Sequence, residues 1–412
     1  MSPYLKQVRV RDFPPLRNAK VDFKPGLNII IGKNGAGKTR FLSLLNNISN
    51  LYQEHFSGVG CELTISGKHE INVKFKDKKS KKNRVDTEYP LSAPMSLSIE
   101  SSYDNKTIKS DTIEEAAEDL IGINELSYTS LFIQHGIPNT GLPIIGEGLE
   151  VTIRGRTVRI NSSSGDKSLF ELEGRFARTV LRTIIGTIRN GFTVRNGTPV
   201  APITAGNLKS LIVQITEAYC ERLNNYLSIY SPIQLARFSE LFQVYYNEIN
   251  DEYIIKGLVL EYKLQNQEVW LPFNALSDGT KRAFYLISEL TLPTSVSINK
   301  ERKRVFIKDN EKLIFLEEPE LGIHPHQLHL LSILIREVSR EHQVIMTTHS
   351  PQVLDMLSKT ELDRITICEL DPEKGTQFRK LSAKRKAKAK AYMQHDSYLS
   401  DFWRFSNLED PE

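Results

Sequence analysis

A glycine-rich segment of eight residues constrains this 412-residue chain more than any other feature. It follows Leu27–Ile31, an apolar run that predicts a buried strand, and it precedes a helical pattern from Thr39 to about Ile48. The segment fits the pattern G-x-x-x-x-G-K-[ST] and consists of Gly32, Lys33, Asn34, Gly35, Ala36, Gly37, Lys38 and Thr39. Glycines let the backbone wrap around phosphate oxygens, and the N–H groups of a helix start attract negative charge. We therefore expect a site for the phosphates of ATP, with Lys38 at the β/γ-phosphates and Thr39 on Mg²⁺.

Two other apolar strands are predicted to end in ionisable side chains. Leu313–Leu316 is followed directly by Glu317 and Glu318, and Val344–Thr348 is followed by His349. Because α/β sheets place ligands at the carboxyl ends of their strands, we expect these side chains at the same edge as the glycine-rich segment. One carboxylate can hold Mg²⁺ while the next deprotonates the attacking water, and the imidazole can contact the γ-phosphate. Taken singly, the glutamates also fit an acidic helix start and the histidine a structural role.

A third segment, Ser277-Asp278-Gly279, opens a predicted helix that runs from about Gly279 to Leu292. A serine hydroxyl and free N–H groups at a helix start suit an anion. The same three residues in isolation are also typical of an ordinary N-cap.

The predicted elements indicate an α/β fold with a mostly parallel sheet, because strands alternate with helices at both ends of the chain. Short β segments in residues 58–103 indicate an antiparallel β subdomain. Helical spacing over most of residues 164–250, at Leu169–Ile188 and Leu208–Leu227, indicates a helical insertion lobe. The β pattern returns at Ile254–Tyr262 and Val269–Phe273, where a polar turn between the two predicts a hairpin.

The order of these motifs resembles that of the ABC-type P-loop ATPases, in particular the RecF, SMC and OLD group. Ile29–Thr39 is similar to the Walker A motif of that group, and Leu276–Thr280 is similar to its signature motif. Phe315–Pro325 resembles Walker B with the D-loop, and Thr347–Pro351 resembles the H-loop of OLD-like ATPases. The chain also resembles the ATPase subunits of bacterial anti-phage systems such as Septu, PARIS and the retron-associated ATPases.

The resemblance implies a role for each matching residue of the predicted ATP site. Lys38 would bind phosphate, and Thr39 and Glu317 would hold Mg²⁺. Glu318 would be the general base, and His349 would contact the γ-phosphate. Glu317 stands where the family more often has Asp, and this departure bears on the hydrolysis rate rather than on the family.

The resemblance also implies a homodimer or a higher oligomer. In this family the signature closes on the nucleotide of a partner chain, so Ser277, Asp278 and Gly279 would act in trans, in a head-to-tail dimer around two ATP molecules. Ser-Asp-Gly replaces the commoner Ser-Gly-Gly or Ser-Ser-Gly, which again bears on the rate. Gln134, after the apolar run Leu131–Ile133, is the residue that we match to the metal-contacting glutamine of the Q-loop.

The matching segments suggest a division of the chain into four regions. These are an N-terminal ATPase part with β hairpins (1–163), a helical insertion (164–252), a C-terminal ATPase part with signature, Walker B, D-loop and H-loop (253–372), and a basic then aromatic-acidic tail (373–412). After His349 only 63 residues remain, from 350 to 412, too few for the Toprim nuclease domain of OLD-type proteins. We therefore expect any nuclease to be a separately encoded partner.

Two biological roles remain open from the sequence. One is a regulatory ATPase of an anti-phage system, in which the aromatic stretch Tyr398–Phe405 either docks the partner or packs on its own core. The alternative is a RecF-like DNA repair ATPase that binds DNA directly, with the basic runs Lys76–Arg84 and Arg379–Lys390 at phosphates. A scaffold that does not hydrolyse ATP is a third possibility, which measured turnover would exclude.

Composition bears on the cellular location of the protein and on its classes of partner, but it does not identify the activity. The 54 basic and 50 acidic residues give a net charge of +4, which permits nucleic-acid contact without requiring it. The three cysteines match no metal or redox spacing, and no apolar run approaches the roughly 20 residues that span a bilayer. The polar N-terminus has no signal-peptide pattern, so we expect a cytoplasmic protein without membrane contact.

Overall fold

The computed structural model describes residues 4–49, 60–67, 70–77, 97–103, 106–110, 129–133, 150–154, 157–162, 165–167, 180, 183–185, 204–293, 295–299, 304–308, 311–395 and 397–406. The chain divides into two compact units. Unit 1 comprises residues 1–135, 310–320 and 335–412, and unit 2 comprises residues 136–309 and 321–334.

The secondary structure is a mixture of strands and helices in both units. The strands are β1 (Tyr4–Phe13), β2 (Leu16–Asp22), β3 (Leu27–Ile31), β4 (Gly60–Ser66), β5 (Glu70–Asp77), β6 (Leu97–Tyr103), β7 (Lys106–Ser110), β8 (Thr129–Ile133), β9 (Glu150–Arg154), β10 (Thr157–Ser162), β11 (Gly165–Lys167), β12 (Ile233–Phe238), β13 (Gln243–Asn247), β14 (Glu252–Lys256), β15 (Leu260–Leu264), β16 (Leu271–Pro272), β17 (Ser295–Asn299), β18 (Arg304–Lys308), β19 (Lys312–Glu317), β20 (Gln343–Thr347), β21 (Ile365–Asp371) and β22 (Gly375–Lys380). The helices are α1 (Lys38–Ser49), α2 (Ala205–Tyr230), α3 (Asp278–Thr291), α4 (Pro325–Val338), α5 (Ala383–Tyr392) and α6 (Leu399–Ser406).

Unit 1 contains two six-stranded sheets. One has the order β2-β1-β4-β5-β6-β7 and is antiparallel throughout. The other has the order β22-β21-β3-β20-β19-β8 and is parallel except for β22. A core of buried apolar side chains from both sheets surrounds helix α1, whose Phe41, Leu42, Leu44 and Leu45 are nearly inaccessible. The mostly parallel sheet and the antiparallel β subdomain predicted from the sequence are both confirmed.

Strand β3 is buried at all five positions, including the polar Asn28. The Asn28 amide accepts a hydrogen bond from the Lys24 N–H (2.8 Å) and donates to the carbonyl oxygens of Lys24 (2.7 Å) and Gly26 (3.0 Å). A buried amide with its hydrogen bonds made carries little energetic penalty, so Asn28 closes the turn that leads into the strand. Gln343 similarly bonds Leu5 N–H and C=O at the start of β20.

Unit 2 contains three antiparallel sheets and the helices α2 and α3. The sheets have the orders β11-β10-β9-β14-β13, β12-β15-β16 and β17-β18. Thr204 caps α2, because its hydroxyl accepts the N–H of Asn207. The side chain of Arg222 on α2 donates to the carbonyl of Thr291 at the end of α3 (2.8 Å), which joins the two helices.

The predicted helical insertion is only partly helical. Helix α2 confirms the helical spacing at residues 208–227, but β12 and β13 are strands within the predicted 164–252 segment. A register shift between Ile233 and Leu235 breaks the simple alternation in β12, and this hid the strand from the pattern. The other predicted helix, Leu169–Ile188, lies mostly outside the described residues.

The predicted tail also differs from the structure. Gly375–Lys380, which we assigned to the tail, is β22 and pairs with β21 at the edge of the parallel sheet. The aromatic stretch is helix α6, in which Leu399 and Phe402 are buried while Tyr398 just before it and Phe405 are exposed. The N–H of Ser400 donates to Asp355, and burial raises the pKa of that carboxyl. Among the described residues, no helix is long and apolar enough to cross a membrane.

Candidate active site

The glycine-rich segment joins β3 to α1 as predicted, and its backbone is possible only with glycine at two positions. Gly32 has φ +156°, and a Cβ there would lie 2.2 Å from the carbonyl oxygen of Cys368. Gly37 has φ +104°, and a Cβ there would lie 2.3 Å from the hydroxyl of Thr376. Between them Lys33, Asn34 and Gly35 are exposed, so the tip of the loop faces outward with its backbone accessible to an anion.

Lys38 points back into the loop that precedes it. Its side chain is only 4% exposed, and Nζ donates to the carbonyl oxygens of Gly32 (2.7 Å) and Lys33 (3.2 Å). Carbonyl oxygens are weaker partners for an ammonium than charged phosphate oxygens. The loop therefore holds a cation ready for an anion, as the motif predicts. Thr39, one residue on in the first turn of α1, is exposed.

The hairpin of β21 and β22 supports the glycine-rich segment from behind, a contact that our sequence patterns do not predict. The hydroxyl of Thr376 donates to the carbonyl of Ala36 (2.8 Å), and the thiol of Cys368 approaches the same carbonyl at 3.4 Å. Gly375 in turn packs against Pro15, whose carbonyl accepts the Thr376 N–H (2.9 Å). The signal that could have found the hairpin is Gly375 itself, because glycine after a polar run is typical of a tight turn into a strand.

The carboxyl ends of β3, β20 and β19 form one edge, which we call the carboxyl edge and which comprises Gly32–Thr39, Glu317–Glu320 and Thr347–Ser350. The strands are neighbours, with Thr347 paired to Ile30 on one side and to Glu317 on the other. The prediction that strand ends bring these motifs together is confirmed by this sheet order.

Glu317 is an unusual buried carboxylate. It is 1% exposed, and neither of its oxygens has a hydrogen-bond partner among the described residues. The neighbouring Thr347 hydroxyl is also buried without a described partner. An unpartnered buried carboxylate is costly, and a bound cation is one of the few groups that offset that cost.

Glu318 forms a pair with His349. Oε1 of Glu318 lies 3.0 Å from Nε2 of His349, and the Glu318 N–H donates to the carbonyl of Thr347 (3.0 Å). Glu318 adopts φ +41°, a left-handed conformation that side-chain-bearing residues rarely take. The strained backbone turns the carboxylate from the strand toward the imidazole, and strain of this kind is concentrated at functional sites.

Glu320 fixes the loop that carries His349. Its Oε1 accepts three hydrogen bonds, from the hydroxyl of Thr348 (2.7 Å), the N–H of His349 (2.9 Å) and the N–H of Ser350 (3.1 Å). Glu320 lies in the run that resembles Walker B, but the resemblance assigns it no role. The polar run at 347–350 was the available signal, because such a loop leaves N–H groups that need an acceptor.

The residues of the carboxyl edge fit ATP with Mg²⁺. Mg²⁺ in nucleotide sites is held by one or two protein oxygens together with phosphate oxygens and water. The unpartnered Glu317 carboxylate meets that need, and Lys38 supplies the positive charge for phosphate.

The signature segment lies in unit 2 and has the form of a helix start. The hydroxyl of Ser277 accepts the N–H of Thr280 (3.4 Å) and lies 2.9 Å from its hydroxyl, which makes Ser277 the N-cap of α3. Ser277 and Asp278 are exposed. Gly279 packs so closely that a Cβ would come within 3.1 Å of the carbonyl of Gly322 in the D-loop.

Two predicted features lie outside the described residues. Gln134, our candidate for the Q-loop, follows directly after the last described residue of β8. Of the basic run Lys76–Arg84, only Lys76 and Asp77 at the end of β5 are described.

Two protein families match this chain. Residues 4–173 match the family described as "AAA ATPase domain". Residues 223–355 match the family described as "AAA domain, putative AbiEii toxin, Type IV TA system". The two segments contain the glycine-rich loop and the Walker B, D-loop and H-loop motifs respectively.

The curated proteins that are similar to this chain include two with the following matches. An "ATP/GTP phosphatase" of Helicobacter pylori (strain ATCC 700392 / 26695) is 21% identical over 368 residues, covering 86% of this chain and 88% of the relative. The Septu protein PtuA of Bacillus thuringiensis is 31% identical over 104 residues, covering 25% of this chain and 26% of that protein.

Among solved structures, SMC head domains are similar. One, bound to the C-winged helix domain of ScpA, has a TM-score of 0.48 at 12% identity and covers 93% of this chain and 99% of its own. A second, from Pyrococcus furiosus with an extended coiled coil, has a TM-score of 0.49 at 11% identity and covers 95% of this chain and 100% of its own.

Proposed function

We propose that this chain, an ABC-type P-loop ATPase, closes as a homodimer around ATP and thereby controls a separately encoded effector nuclease in anti-phage defence. The observation that carries the mechanism is the carboxyl edge, where the unpartnered carboxylate of Glu317 lies beside the Glu318–His349 pair. The family matches and the similarity to an ATP/GTP phosphatase support hydrolysis of a nucleotide.

Each residue of the edge has a distinct role in this proposal. Lys38 moves its ammonium from the carbonyls of Gly32 and Lys33 to phosphate oxygens, and the exposed N–H groups of the loop bind the same anion. Glu317 and Thr39, with Gln134 as the third ligand, would hold Mg²⁺, and the ion would supply positive charge that offsets the charge of the phosphates.

Glu318 and His349 handle the attacking water. Glu318 accepts a proton from water, while His349 orients the Glu318 carboxylate through the 3.0 Å contact and contacts the γ-phosphate. Glu318→Gln keeps the shape of the side chain but removes the carboxylate that acts as the general base. We expect kcat to fall by about 10²- to 10⁴-fold with ATP binding retained.

The homodimer is supported by the exposure of the signature. Ser277 and Asp278 lie at the solvent-exposed start of α3, where a serine hydroxyl and N–H groups can contact the nucleotide of a second chain. In ABC-type ATPases this arrangement makes ATP part of the interface. Hydrolysis then opens the dimer, and the change in unit 2 is the signal that reaches the effector.

Light scattering coupled to size exclusion tests the dimer. Glu318→Gln with ATP and Mg²⁺ should elute at twice the monomer mass, because ATP binds and is not hydrolysed. Glu318→Gln combined with Lys38→Ala is the matched control and should stay a monomer. A Glu318→Gln protein that is a monomer with or without ATP contradicts the proposal.

The defence role is supported by the similarity to the Septu protein PtuA, which spans a quarter of this chain. The proposal places the ATPase in the cytoplasm, where its three buried cysteines, none of which is in a disulfide, would stay reduced. The test is phage plating on cells that carry this gene with its neighbours. Wild type should protect and Lys38→Ala should not, and equal plating on both strains would contradict the role.

A further inference from the structure

Helix α5 carries positive charge only. Lys384, Arg385, Lys386, Lys388 and Lys390 are five of its ten residues, and none of the others is acidic. Three of them lie in the first turn, where the positive end of the helix dipole disfavours cations. The pairs Lys384/Lys388 and Lys386/Lys390 also repel each other at the i,i+4 spacing. The charges of α5 therefore oppose its own stability, which is typical of a surface kept for function.

Other contacts hold the helix in place. Ser382 caps it, since its hydroxyl accepts the N–H of Arg385 (3.2 Å). Ala389 is fully buried, and the ring centroid of Tyr392 lies 5.6 Å from that of Phe402 on α6. One side of α5 is thus fixed, and the opposite side faces solvent.

The solvent-exposed side consists of alanine and lysine. Ala383, Lys384, Ala387, Lys388 and Lys390 are exposed, and none of these lysines forms an ion pair with an acidic residue in the part of the chain that the structure describes. The short alanines leave room for a rigid polyanion to approach between the lysines. From residue 384 to 390 the helix rises by roughly 9 Å, a length over which duplex DNA presents several phosphates.

Two further lysines, Lys380 and Lys24, lie near α5. Burial lowers the pKa of Lys380 to about 8, and the positive charges of Lys386 and Lys24 lower it further, against the opposing carboxylates of Asp363 and Asp22. Lys24 itself pairs with Asp363 (3.5 Å), so the charge that remains available to a ligand in this region lies on the exposed Lys384, Lys388 and Lys390 of α5.

We propose that α5 is a nucleic-acid contact surface that binds the phosphate backbone without reading sequence. Lysine is depleted in protein–protein interfaces, which need apolar or aromatic anchors, and the exposed side of α5 offers none. Flexible ammonium groups without partners are the usual contacts to phosphates. The proposal concerns a surface separate from the carboxyl edge and does not depend on the effector regulation proposed above.

The experiment compares two triple variants of the full-length chain. The test variant is Lys384→Gln/Lys388→Gln/Lys390→Gln. The matched control is Lys20→Gln/Arg340→Gln/Lys359→Gln, which removes the same charge from exposed positions of unit 1. Fluorescence anisotropy measures binding to a labelled 30-base-pair DNA duplex and to a single strand of the same length, over a range of salt concentrations.

The wild type and the control should bind with the same steep salt dependence. The test variant should bind about tenfold or more weakly at low salt, with a slope of log Kd against log salt reduced by about 2 to 3, one for each phosphate contact. Weaker binding of the test variant to the duplex would mean that α5 contacts a double-stranded backbone. Weaker binding to the single strand alone would mean that α5 contacts a single-stranded backbone. An equal loss in the control, an unchanged test variant, or a wild type that binds neither DNA would overturn the proposal. The basal ATPase rate should be equal in all three proteins.

Discussion

The carboxyl edge in unit 1 and the signature segment in unit 2 are both built at helix starts, but they satisfy their polar groups in opposite ways. At the carboxyl edge, Glu317 is buried without a described partner and Glu318 has a left-handed backbone. At the signature, Ser277 makes a complete N-cap and is exposed. The first region needs a cation and an anion to complete it. The second is complete by itself and is available to a partner.

The largest expected effect comes from filling the space behind the glycine-rich segment. Gly32→Ala would place a Cβ against the carbonyl of Cys368. To relieve this clash the backbone of the parallel sheet would have to move, which costs a large amount of free energy. We expect a loss of about 3 kcal/mol or more in the free energy of unfolding, and loss of ATP binding. Gly35→Ala is the matched control, because its left-handed φ of +78° meets open space and should cost only about 1 kcal/mol. Urea unfolding measures the free energy of unfolding of both variants. Equal losses in the two variants would show that the hairpin does not support the loop.

The supporting hairpin is a part of the site that local sequence patterns do not predict. The elements nearest the motifs were predicted closely, because β3, α1, β19 and β20 have strong apolar patterns with short connections. The bonds from Thr376 and Cys368 to Ala36 join residues more than 330 positions apart, and no local pattern reports such a contact. The same holds for Glu320, whose role depends on the fold that brings it to the loop of His349.

Glu320 gives the next largest effect. Glu320→Ala would leave the N–H groups of His349 and Ser350 and the hydroxyl of Thr348 without their acceptor, at a cost of about 1–3 kcal/mol. Because the ATP phosphates do not depend on this carboxylate, kcat should fall about 10- to 100-fold with KM little changed. Glu320→Gln keeps an acceptor oxygen and should recover most of the rate. Steady-state kinetics that show a raised KM with normal kcat would assign Glu320 to nucleotide binding instead.

A smaller effect distinguishes two possible roles of Ser277 in the signature segment, capping of α3 and participation in ATP hydrolysis. Ser277→Ala removes the N-cap of α3 and should cost about 1 kcal/mol of stability. Ser382→Ala removes an N-cap of the same geometry from α5, where the hydroxyl also accepts an N–H three residues on. We expect equal melting shifts in the two variants but a lower ATPase rate only for Ser277→Ala. Equal rates would mean that Ser277 is an N-cap and nothing more.

The smallest expected effect concerns a buried charge away from the carboxyl edge. Burial lowers the pKa of Lys380 from its ordinary value to about 8, so above that pH the folded chain binds fewer protons than the unfolded chain. Stability should therefore rise with pH through this group, by about 1 kcal/mol between pH 7 and pH 9. Lys380→Met should remove that rise, as denaturant unfolding at the two pH values measures. An identical rise in stability in both proteins would mean that a group other than Lys380 titrates in this pH range.

Complementation between two inactive chains tests most directly whether the carboxyl edge of one chain works with the signature of another. Lys38→Ala cannot hold phosphate but keeps its signature, while Ser277→Arg keeps the phosphate loop but loses the signature. Each alone should be nearly inactive. When they are mixed in equal amounts, half of the dimers should contain one competent site, which restores about a quarter of the wild-type ATPase rate. A mixture that stays inactive, or a Ser277→Arg chain that is fully active alone, would contradict a shared site.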